Sequence, residues 1–414
     1  MKKNSRERVL AAIDHREAEG APVDFGSNPS SGISALAYNK LKLHLGYSSG
    51  PARIYDVAGH LAQPEDWMLD RFGVDVVDVG RMFNTADEDW YGVRLSDGSV
   101  GEYPSWFKPV RREDGAFEAE VEGVAIARMP AEGMSFDQIY FPYLDGYPAT
   151  FKYLPEAMKK VSSSVLAVSP WDRAEGPDFW RELREKTAAL RESSDRAIVI
   201  SCGCNLFEWG MYLRRLDNFL MDIPAEQDKV EGLLDALMEI HLGRLEKVCG
   251  AVGDIVDVVR FGDDLGMTGG SFMSPALYRK LFRPRHTLLN EYVHQHTGMK
   301  TFLHSCGSIY GLLPDLIEAG FDIINPVQTN CKDMEPARLK REFGSAITFW
   351  GGGCDGNILN NGTPGQVKRH VVERMEIFSP GGGFIFNTEH NILPEAPPQN
   401  VVAMFEAVGE YNGR

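Results

Sequence analysis

Short apolar runs recur along the chain, and most of them end in glycine or a polar residue and are followed by a helix-like stretch. Eight such runs lie at residues 22–26, 74–80, 197–203, 254–264, 300–307, 322–328, 346–353 and 383–391. Runs rich in valine, isoleucine and phenylalanine that alternate with helices are typical of βαβ units in a parallel sheet. Eight units predict a closed (β/α)8 barrel, the TIM barrel, rather than an open sheet.

One stretch, residues 81–170, departs from this alternation and is rich in aromatic and turn-forming residues. Asp97-Gly98 and Asp114-Gly115 each separate two segments of alternating polarity, which indicates β-hairpins. The stretch is therefore predicted to be an antiparallel β-rich insertion between barrel strands 2 and 3, covering one mouth of the barrel. No linker or internal repeat divides the chain elsewhere, so residues 1–414 are predicted to form a single domain.

The charge balance narrows the classes of partner. The 414 residues include 43 lysines and arginines against 59 aspartates and glutamates, a formal net charge of −16. Such a surface repels nucleic acid and anionic lipid, but an anionic small substrate is not excluded, because a pocket can differ from the average surface. No run approaches the ~20 apolar residues of a membrane span. The first 20 residues indicate an amphipathic helix capped near Asn4 or Ser5 rather than a signal peptide, so a cytoplasmic protein is expected.

Polar residues cluster where the predicted strands end. In barrel enzymes the active site lies at the carboxyl ends of the strands. Here those ends include residues 201–205, 262–264, 304–307, 325–328, 351–355 and 387–391. The glycine-rich turns are not followed by Gly-Lys-Ser/Thr, and no Gly-x-Ser-x-Gly is present, so neither a P-loop nor an esterase elbow is supported.

His304 and Cys306 are two residues apart at the end of an apolar strand, so both side chains point to one side. An imidazole and a thiolate so placed are two zinc ligands, although an isolated His-x-Cys is more often a hydrogen-bonded histidine beside a buried cysteine. Cys354 ends the seventh run in a glycine-rich turn and is the predicted third ligand. His390 or Glu389, at the end of the eighth run, is the alternative third ligand, and His390 is also a candidate general acid or substrate contact.

The other polar residues of the strand ends are candidates for catalysis and substrate binding. Asp263 and Asp264 are either helix-cap and loop carboxylates or groups that bind a substrate or a metal-ligating histidine. Cys202 and Cys204 form a second i, i+2 thiol pair, for which a pocket wall is favoured over a metal site. The candidate catalytic residues are Asp263, Glu389 and His390, and the candidate substrate contacts are Cys204, Asn205, Glu208, Asp264 and Gln328.

The string HSCGSIYGLLPDLIEAGFDIINPVQ, residues 304–328, resembles the uroporphyrinogen decarboxylase superfamily. The resemblance continues through residues 339–367 and 382–408, and residues 5–26 fit the opening helix and strand of the family. It covers most of the chain outside the predicted insertion, and it implies a (β/α)8 barrel.

The superfamily has two branches. True decarboxylases resemble one another in an arginine-containing motif after the first strand, whereas residues 24–40 of this chain contain no arginine. The other branch comprises zinc-dependent methyltransferases that work with corrinoid proteins and carry His-x-Cys where this chain has His304 and Cys306. In the coenzyme M methyltransferases of that branch the third ligand resembles a cysteine near the final strand, a place held here by Glu389-His390. The third ligand therefore stays open between Cys354 and His390.

The resemblance implies an enzyme that moves a methyl group from a small methylated donor to the Co(I) of a corrinoid protein. The donor is a methyl ether, such as a methoxylated aromatic, or a methylamine. The implied cofactors are Zn²⁺ and a corrinoid (cobalamin) carried by a partner protein, and a homodimer is among the expected states because family members are often dimers. The alternatives are transfer from a methylcorrinoid to a thiol or tetrahydrofolate, a uroporphyrinogen-type decarboxylase, and a non-catalytic ligand-binding barrel.

Overall fold

A computed structural model describes residues 4–47 and 50–413 of the chain. Its helices are α1 Ser5–Ile13, α2 Ala35–His44, α3 Asp66–Phe72, α4 Leu154–Met158, α5 Ser162–Val165, α6 Phe179–Ser193, α7 Phe207–Arg214, α8 Leu216–Ala225, α9 Gln227–Val252, α10 Pro275–Leu281, α11 Arg283–His296, α12 Leu313–Glu318, α13 Pro336–Phe343, α14 Gly356–Asn361, α15 Pro364–Phe378 and α16 Pro398–Tyr411. Its strands are β1 Ile33–Ser34, β2 Ala52–Asp56, β3 Leu61–Ala62, β4 Val76–Asp78, β5 Trp90–Arg94, β6 Val100–Pro104, β7 Val110–Arg111, β8 Phe117–Val121, β9 Val124–Met129, β10 Asp137–Gln138, β11 Ala197–Gly203, β12 Val258–Gly262, β13 Gly266–Met267, β14 Gly270–Ser271, β15 Lys300–His304, β16 Ile323–Asn325, β17 Thr348–Trp350 and β18 Phe384–Ile385.

The main sheet is parallel, and its strands follow one another in chain order: β4, β11, β12, β15, β16, β17 and β18. Each of these strands falls within one of the last seven predicted runs, so those predictions are confirmed. Strands of a parallel sheet covered by helices are apolar on both faces, which is why the runs stand out in the sequence.

The first predicted run connects the two edges of this sheet. Val23 forms a parallel bridge to Phe386, just after β18. On the other side, the Asp75 N–H donates to the Val23 carbonyl at 2.8 Å, just before β4. A curled parallel sheet whose edges share one segment is consistent with a TIM-like barrel.

Helix α1 closes the amino end of the barrel. Asn4 and Glu7 form a capping box at its start, which confirms the predicted cap. Val9, Ala12 and Ile13 of α1 join one buried apolar cluster with side chains from the strands: Val76, Ala197, Val199, Val258, Phe302, Ile323, Trp350 and Ile385. These strand residues therefore point into the barrel.

Strand alternation then places a polar layer one step nearer the carboxyl ends. The next inward-facing positions are two residues further along each strand, and they are occupied by Asp78, Ser201, Arg260, His304, Asn325 and Asn387. The interior of the barrel is thus apolar near the amino ends of the strands and polar at the mouth, near their carboxyl ends, as the sequence predicted for the strand ends.

Antiparallel strands lie between β4 and β11 in the chain. Strands β5 and β6 pair on either side of Asp97-Gly98, and β7 and β8 pair on either side of Asp114-Gly115. Strand β6 also pairs with β2, which joins this layer to β1 and β3. The sequence analysis did not predict β1–β3. Strands β1 and β3 have two residues each, too few to show an alternating pattern, and the five-residue β2 was missed as well.

No helix in the described part of the chain is both long enough and apolar enough to cross a membrane.

Candidate metal centre

Three side chains that could bind a metal ion meet at the barrel mouth. His304 ends β15, Cys306 follows two residues later, and His390 lies in the loop after β18. One ligand atom from each of these residues lies within 4.8 Å of the other two. Cys306 Sγ is 3.4 Å from His304 Nε2, and the two imidazole centroids are 5.9 Å apart. We refer to His304, Cys306 and His390 as the His-Cys-His centre.

Cys354 does not join this centre. Its thiol is fully buried, and Sγ contacts the carbonyl oxygen of Asp355 at 3.7 Å. Its backbone forms a bridge with Thr388, which places it beside the last strand. Of the three candidate third ligands, Cys354, His390 and Glu389, the structure therefore brings only His390 next to His304 and Cys306.

The environment of His304 fixes its tautomer. Asn325 Nδ2 donates to the Trp350 carbonyl at 2.8 Å, so Asn325 Oδ1 is the atom that faces His304 Nδ1, at 2.8 Å. Nδ1 therefore carries the proton, and Nε2 presents its lone pair to the centre. Burial lowers the pKa of His304 to about 3, so the ring is neutral at pH 7. A neutral imidazole held in this way is the form that binds metals.

Asp264 orients the loop that carries Cys306. Its Oδ1 accepts the Cys306 N–H at 2.8 Å and lies 3.6 Å from His304 Nε2. Burial raises the pKa of the Cys306 thiol, and the neighbouring Asp264 carboxylate raises it further. The thiol is therefore protonated unless a cation is bound beside it. Gln328, another predicted substrate contact, accepts the Gly307 N–H at 2.6 Å and holds the same loop.

Asp263 is fully buried and has a different role. Its Oδ1 accepts the N–H groups of Leu206 at 3.1 Å and Glu208 at 2.9 Å, at the start of α7. Its Oδ2 lies 3.1 Å from His286 Nε2. Both oxygens are thus engaged within the protein, which corresponds to the helix-cap alternative for this residue.

Replacement of Asp263 by alanine is expected to lower the free energy of unfolding by about 3 kcal/mol, because two buried N–H groups and an imidazole lose their acceptor. Denaturant unfolding measures this change. Asp264→Ala is the matched control, since the Asp264 side chain is 32% exposed, and its cost should be about 1 kcal/mol or less. Equal losses in both variants would contradict the assigned role of Asp263.

Glu208 lies at the start of α7 and faces the centre. Its carboxyl accepts hydrogen bonds from the Tyr212 hydroxyl at 3.1 Å and from Asn205 Nδ2. Burial raises the pKa of Glu208 to about 8, and the neighbouring carboxylates of Asp264 and Asp263 contribute to the rise. Glu208 therefore carries a proton at neutral pH and can donate it, whereas the sequence analysis predicted only a substrate contact at this residue.

Two other predicted site residues lie apart from the centre. Glu389 is buried, and its Oε1 accepts from the Thr329 N–H at 2.9 Å and from the Thr329 hydroxyl. Burial raises the pKa of Glu389 to about 7. Cys204 is buried with its Sγ 3.7 Å from that of Cys202, so this pair forms part of the wall at the end of β11.

Arg260 and Tyr55 were missed by the sequence analysis. Arg260 stands in the middle of the apolar strand β12, and a charged residue at an inward-facing position of such a strand is the signal that could have identified it. Tyr55 lies on β2, which the hydrophobic pattern did not predict.

An open cleft, which we call the aromatic pocket, lies where the antiparallel layer meets the barrel mouth, and its empty space is about 450 Å³ when the part open to solvent is included. Its walls include Phe83, Trp90 and Trp106, and its polar lining includes Tyr55 and Asp78. Asp78 ends β4, so the pocket begins at the polar layer of the barrel.

Comparisons with known proteins extend these observations. The sequence model of the family described as uroporphyrinogen decarboxylase (URO-D) matches residues 147–411. The uroporphyrinogen decarboxylase of Pseudoalteromonas translucida is 32% identical over 75 residues, which are 18% of this chain and 21% of that protein. The enzyme of the same name from Coxiella burnetii is 27% identical over 161 residues, 37% of this chain and 42% of that protein. The chain thus matches less than half the length of these curated relatives.

A solved structure described as a methyltransferase from Methanosarcina mazei is similar over 99% of both chains, with a TM-score of 0.58 and 17% sequence identity. At that identity the likeness establishes a shared fold. The match to the family model establishes the family as well as the fold, because it covers more than half of the chain. It includes β11–β18 and all three residues of the His-Cys-His centre. The chain belongs to the uroporphyrinogen decarboxylase family.

Proposed function

We propose that this chain is a zinc-dependent methyltransferase that moves a methyl group from a small methylated donor to the Co(I) of a corrinoid protein. The single observation that carries the proposal is the meeting of His304, Cys306 and His390 at the barrel mouth. The likeness of fold to the Methanosarcina mazei methyltransferase supports it.

The donor set fits zinc. Two imidazoles and one thiol are nitrogen and sulfur ligands of the type that Zn²⁺ prefers, and three protein ligands leave a fourth position for a substrate, as in catalytic zinc sites. Burial lowers the pKa values of both His304 and His390, which keeps the rings neutral and able to bind. When bound, zinc supplies a Lewis acid that stabilises negative charge on the leaving atom of the donor.

The chain's own residues then position the donor and supply a proton. In a methyl ether, the bond between the methyl carbon and oxygen breaks, the methyl carbon bonds to Co(I) through the electron pair of the cobalt, and the oxygen takes a proton. Glu208 is the donor of that proton, because its carboxyl is protonated at neutral pH and lies near Cys306. Asp264 holds the Cys306 loop in place through its 2.8 Å hydrogen bond.

A decarboxylase is the second candidate, favoured by the names of the curated relatives. Its substrate would carry several carboxylates, which need cationic partners. The segment after the first barrel strand, residues 24–40, contains no arginine, and among the described residues the polar layer of the mouth holds a single one, Arg260. One guanidinium is few for a substrate with several carboxylates, which favours the methyltransferase.

The proposal is tested by two measurements on the purified chain: its zinc content, and methyl transfer from a methyl ether or methylamine to a Co(I) corrinoid protein. We expect about one zinc per chain and transfer that is lost with a chelator and restored by zinc. Full activity in zinc-free protein would remove the proposal. Decarboxylated products from uroporphyrinogen without metal would favour the second candidate.

A further inference from the structure

Arg260 points into the barrel from the middle of β12. Its neighbour two residues earlier, Val258, belongs to the inward-facing apolar cluster, and the Arg260 guanidinium lies 5.9 Å from the centroid of the inward-facing Phe302 ring. Its charge also acts on Glu208 and Asp264, which face the His-Cys-His centre. Arg260 therefore lies in the polar layer, beside the centre.

The guanidinium has no partner in the described part of the chain. Its Nε is shielded from solvent and donates no hydrogen bond, and no ion pair within 4.0 Å is formed by its other nitrogens. Arg214 and Arg191, by contrast, are paired: Arg214 Nε lies 2.8 Å from Asp222, and Arg191 Nη2 lies 2.5 Å from Asp257. A shielded guanidinium N–H without an acceptor is costly, and such groups are normally matched by a hydrogen-bond acceptor.

Tyr55 provides a second donor without an acceptor. Its Oη is shielded from solvent and forms no hydrogen bond within the described residues. Tyr55 and Arg260 are close enough for each to affect the pKa of the other, so the two side chains lie on the same side of the mouth. A phenol and a guanidinium that both lack an acceptor match the two oxygens of a carboxylate.

The space next to these donors indicates the rest of the ligand. Tyr55 lines the aromatic pocket, whose walls include the rings of Phe83, Trp90 and Trp106. Such walls fit a planar apolar body. Burial raises the pKa of Asp78 to about 7 and that of Glu208 to about 8, which reduces the negative charge of these two acids near an incoming anion.

We infer that Arg260 and Tyr55 bind the carboxylate of a small substrate whose planar apolar body occupies the aromatic pocket. The identification of this substrate as the methyl donor rests on the proposed function, and the donor is then an anion. The binding of the carboxylate itself requires neither zinc nor a corrinoid partner.

The test is calorimetric binding of 4-methoxybenzoate and of its neutral analogue 4-methoxybenzamide to the full chain, without corrinoid protein. We expect the benzoate to bind at least 10-fold more tightly than the amide, because only the benzoate carries a negative charge that can pair with Arg260. Arg260→Gln should weaken benzoate binding by at least 10-fold and change amide binding little. Tyr55→Phe should weaken benzoate binding several-fold.

Arg184→Gln is the control, since Arg184 lies outside the lining of this pocket and is paired with Asp254 at 2.8 Å, and its benzoate affinity should be unchanged. Equal binding of the two probes, binding of neither, or a benzoate affinity unaffected by Arg260→Gln would each overturn the inference. Selective benzoate binding in a chain that fails to transfer methyl groups would keep this site and remove only the proposed reaction.

Discussion

Replacement of Cys306 by serine is expected to remove zinc from the chain and to reduce methyl transfer at least 100-fold. The thiolate is one of three proposed ligands, and a serine hydroxyl is not a comparable zinc ligand at neutral pH. Residues that merely orient a ligand are worth 10–100-fold in metal affinity or activity, so loss of a ligand should cost more. Metal analysis of the purified variant should give a ratio of zinc to chain close to zero, and added zinc should not restore transfer.

Cys354→Ser is the matched control for this result. The two substitutions are chemically identical, but the Cys354 thiol contacts the Asp355 carbonyl and lies outside the His-Cys-His centre. The Cys354 variant should keep its zinc, whereas His390→Ala should lose it. The opposite pattern, zinc retained in Cys306→Ser and lost in Cys354→Ser, would move the site to the seventh strand and contradict the assignment.

The choice between Cys354 and His390 shows where sequence reasoning reached its limit. Strand alternation placed His304 and Cys306 on one side of β15, because both residues belong to or directly follow a regular element. Cys354 and His390 follow their strands through glycine and loop residues, where no periodicity tells which way a side chain points. In the structure the Cys354 thiol contacts the Asp355 carbonyl, and its backbone bridges to Thr388, a residue 34 positions away in the chain.

The dependence of sequence analysis on regular elements also explains why the barrel strands were predicted and why some site residues were missed. Seven strands were located because parallel strands covered on both faces form continuous apolar runs. Tyr55 was not found because β2 belongs to a layer assembled from short strands distant in sequence. The protonation of Glu208 was not predicted either, since it depends on the burial of its carboxyl and on the approach of Asp264 and Asp263, which follow another strand.

Glu208→Gln is expected to reduce the rate constant of methyl transfer by 10²–10⁴-fold, the range for loss of a general acid or base. In the wild-type chain, transfer should be constant near pH 7 and fall as the pH rises through about 8, where Glu208 loses its proton. The glutamine variant cannot donate a proton, so its residual rate should lack this fall. Rate measurements between pH 6 and 9.5 with a methyl ether donor check both expectations.

Glu389→Gln separates Glu208 from the other buried acid. Glu389 has a pKa of about 7 and is held by Thr329, so this variant should keep the fall near pH 8. Persistence of that fall in Glu208→Gln, with its loss in Glu389→Gln, would assign the proton to Glu389 instead.

The pH dependence of the free energy of unfolding reports the protonation of Glu208 independently of turnover. The folded-state pKa of about 8 lies above the value of about 4.3 for an unfolded glutamate, so the folded chain binds this proton more tightly. The associated stability is fully present below about pH 4 and is lost progressively as the pH rises to about 8, at up to about 1.4 kcal/mol per pH unit. Glutamine does not titrate, so the Glu208→Gln variant should lose less stability than the wild type between pH 6 and 9. Parallel stability curves for the two chains would show that Glu208 is already ionised at neutral pH and would exclude it as the proton donor.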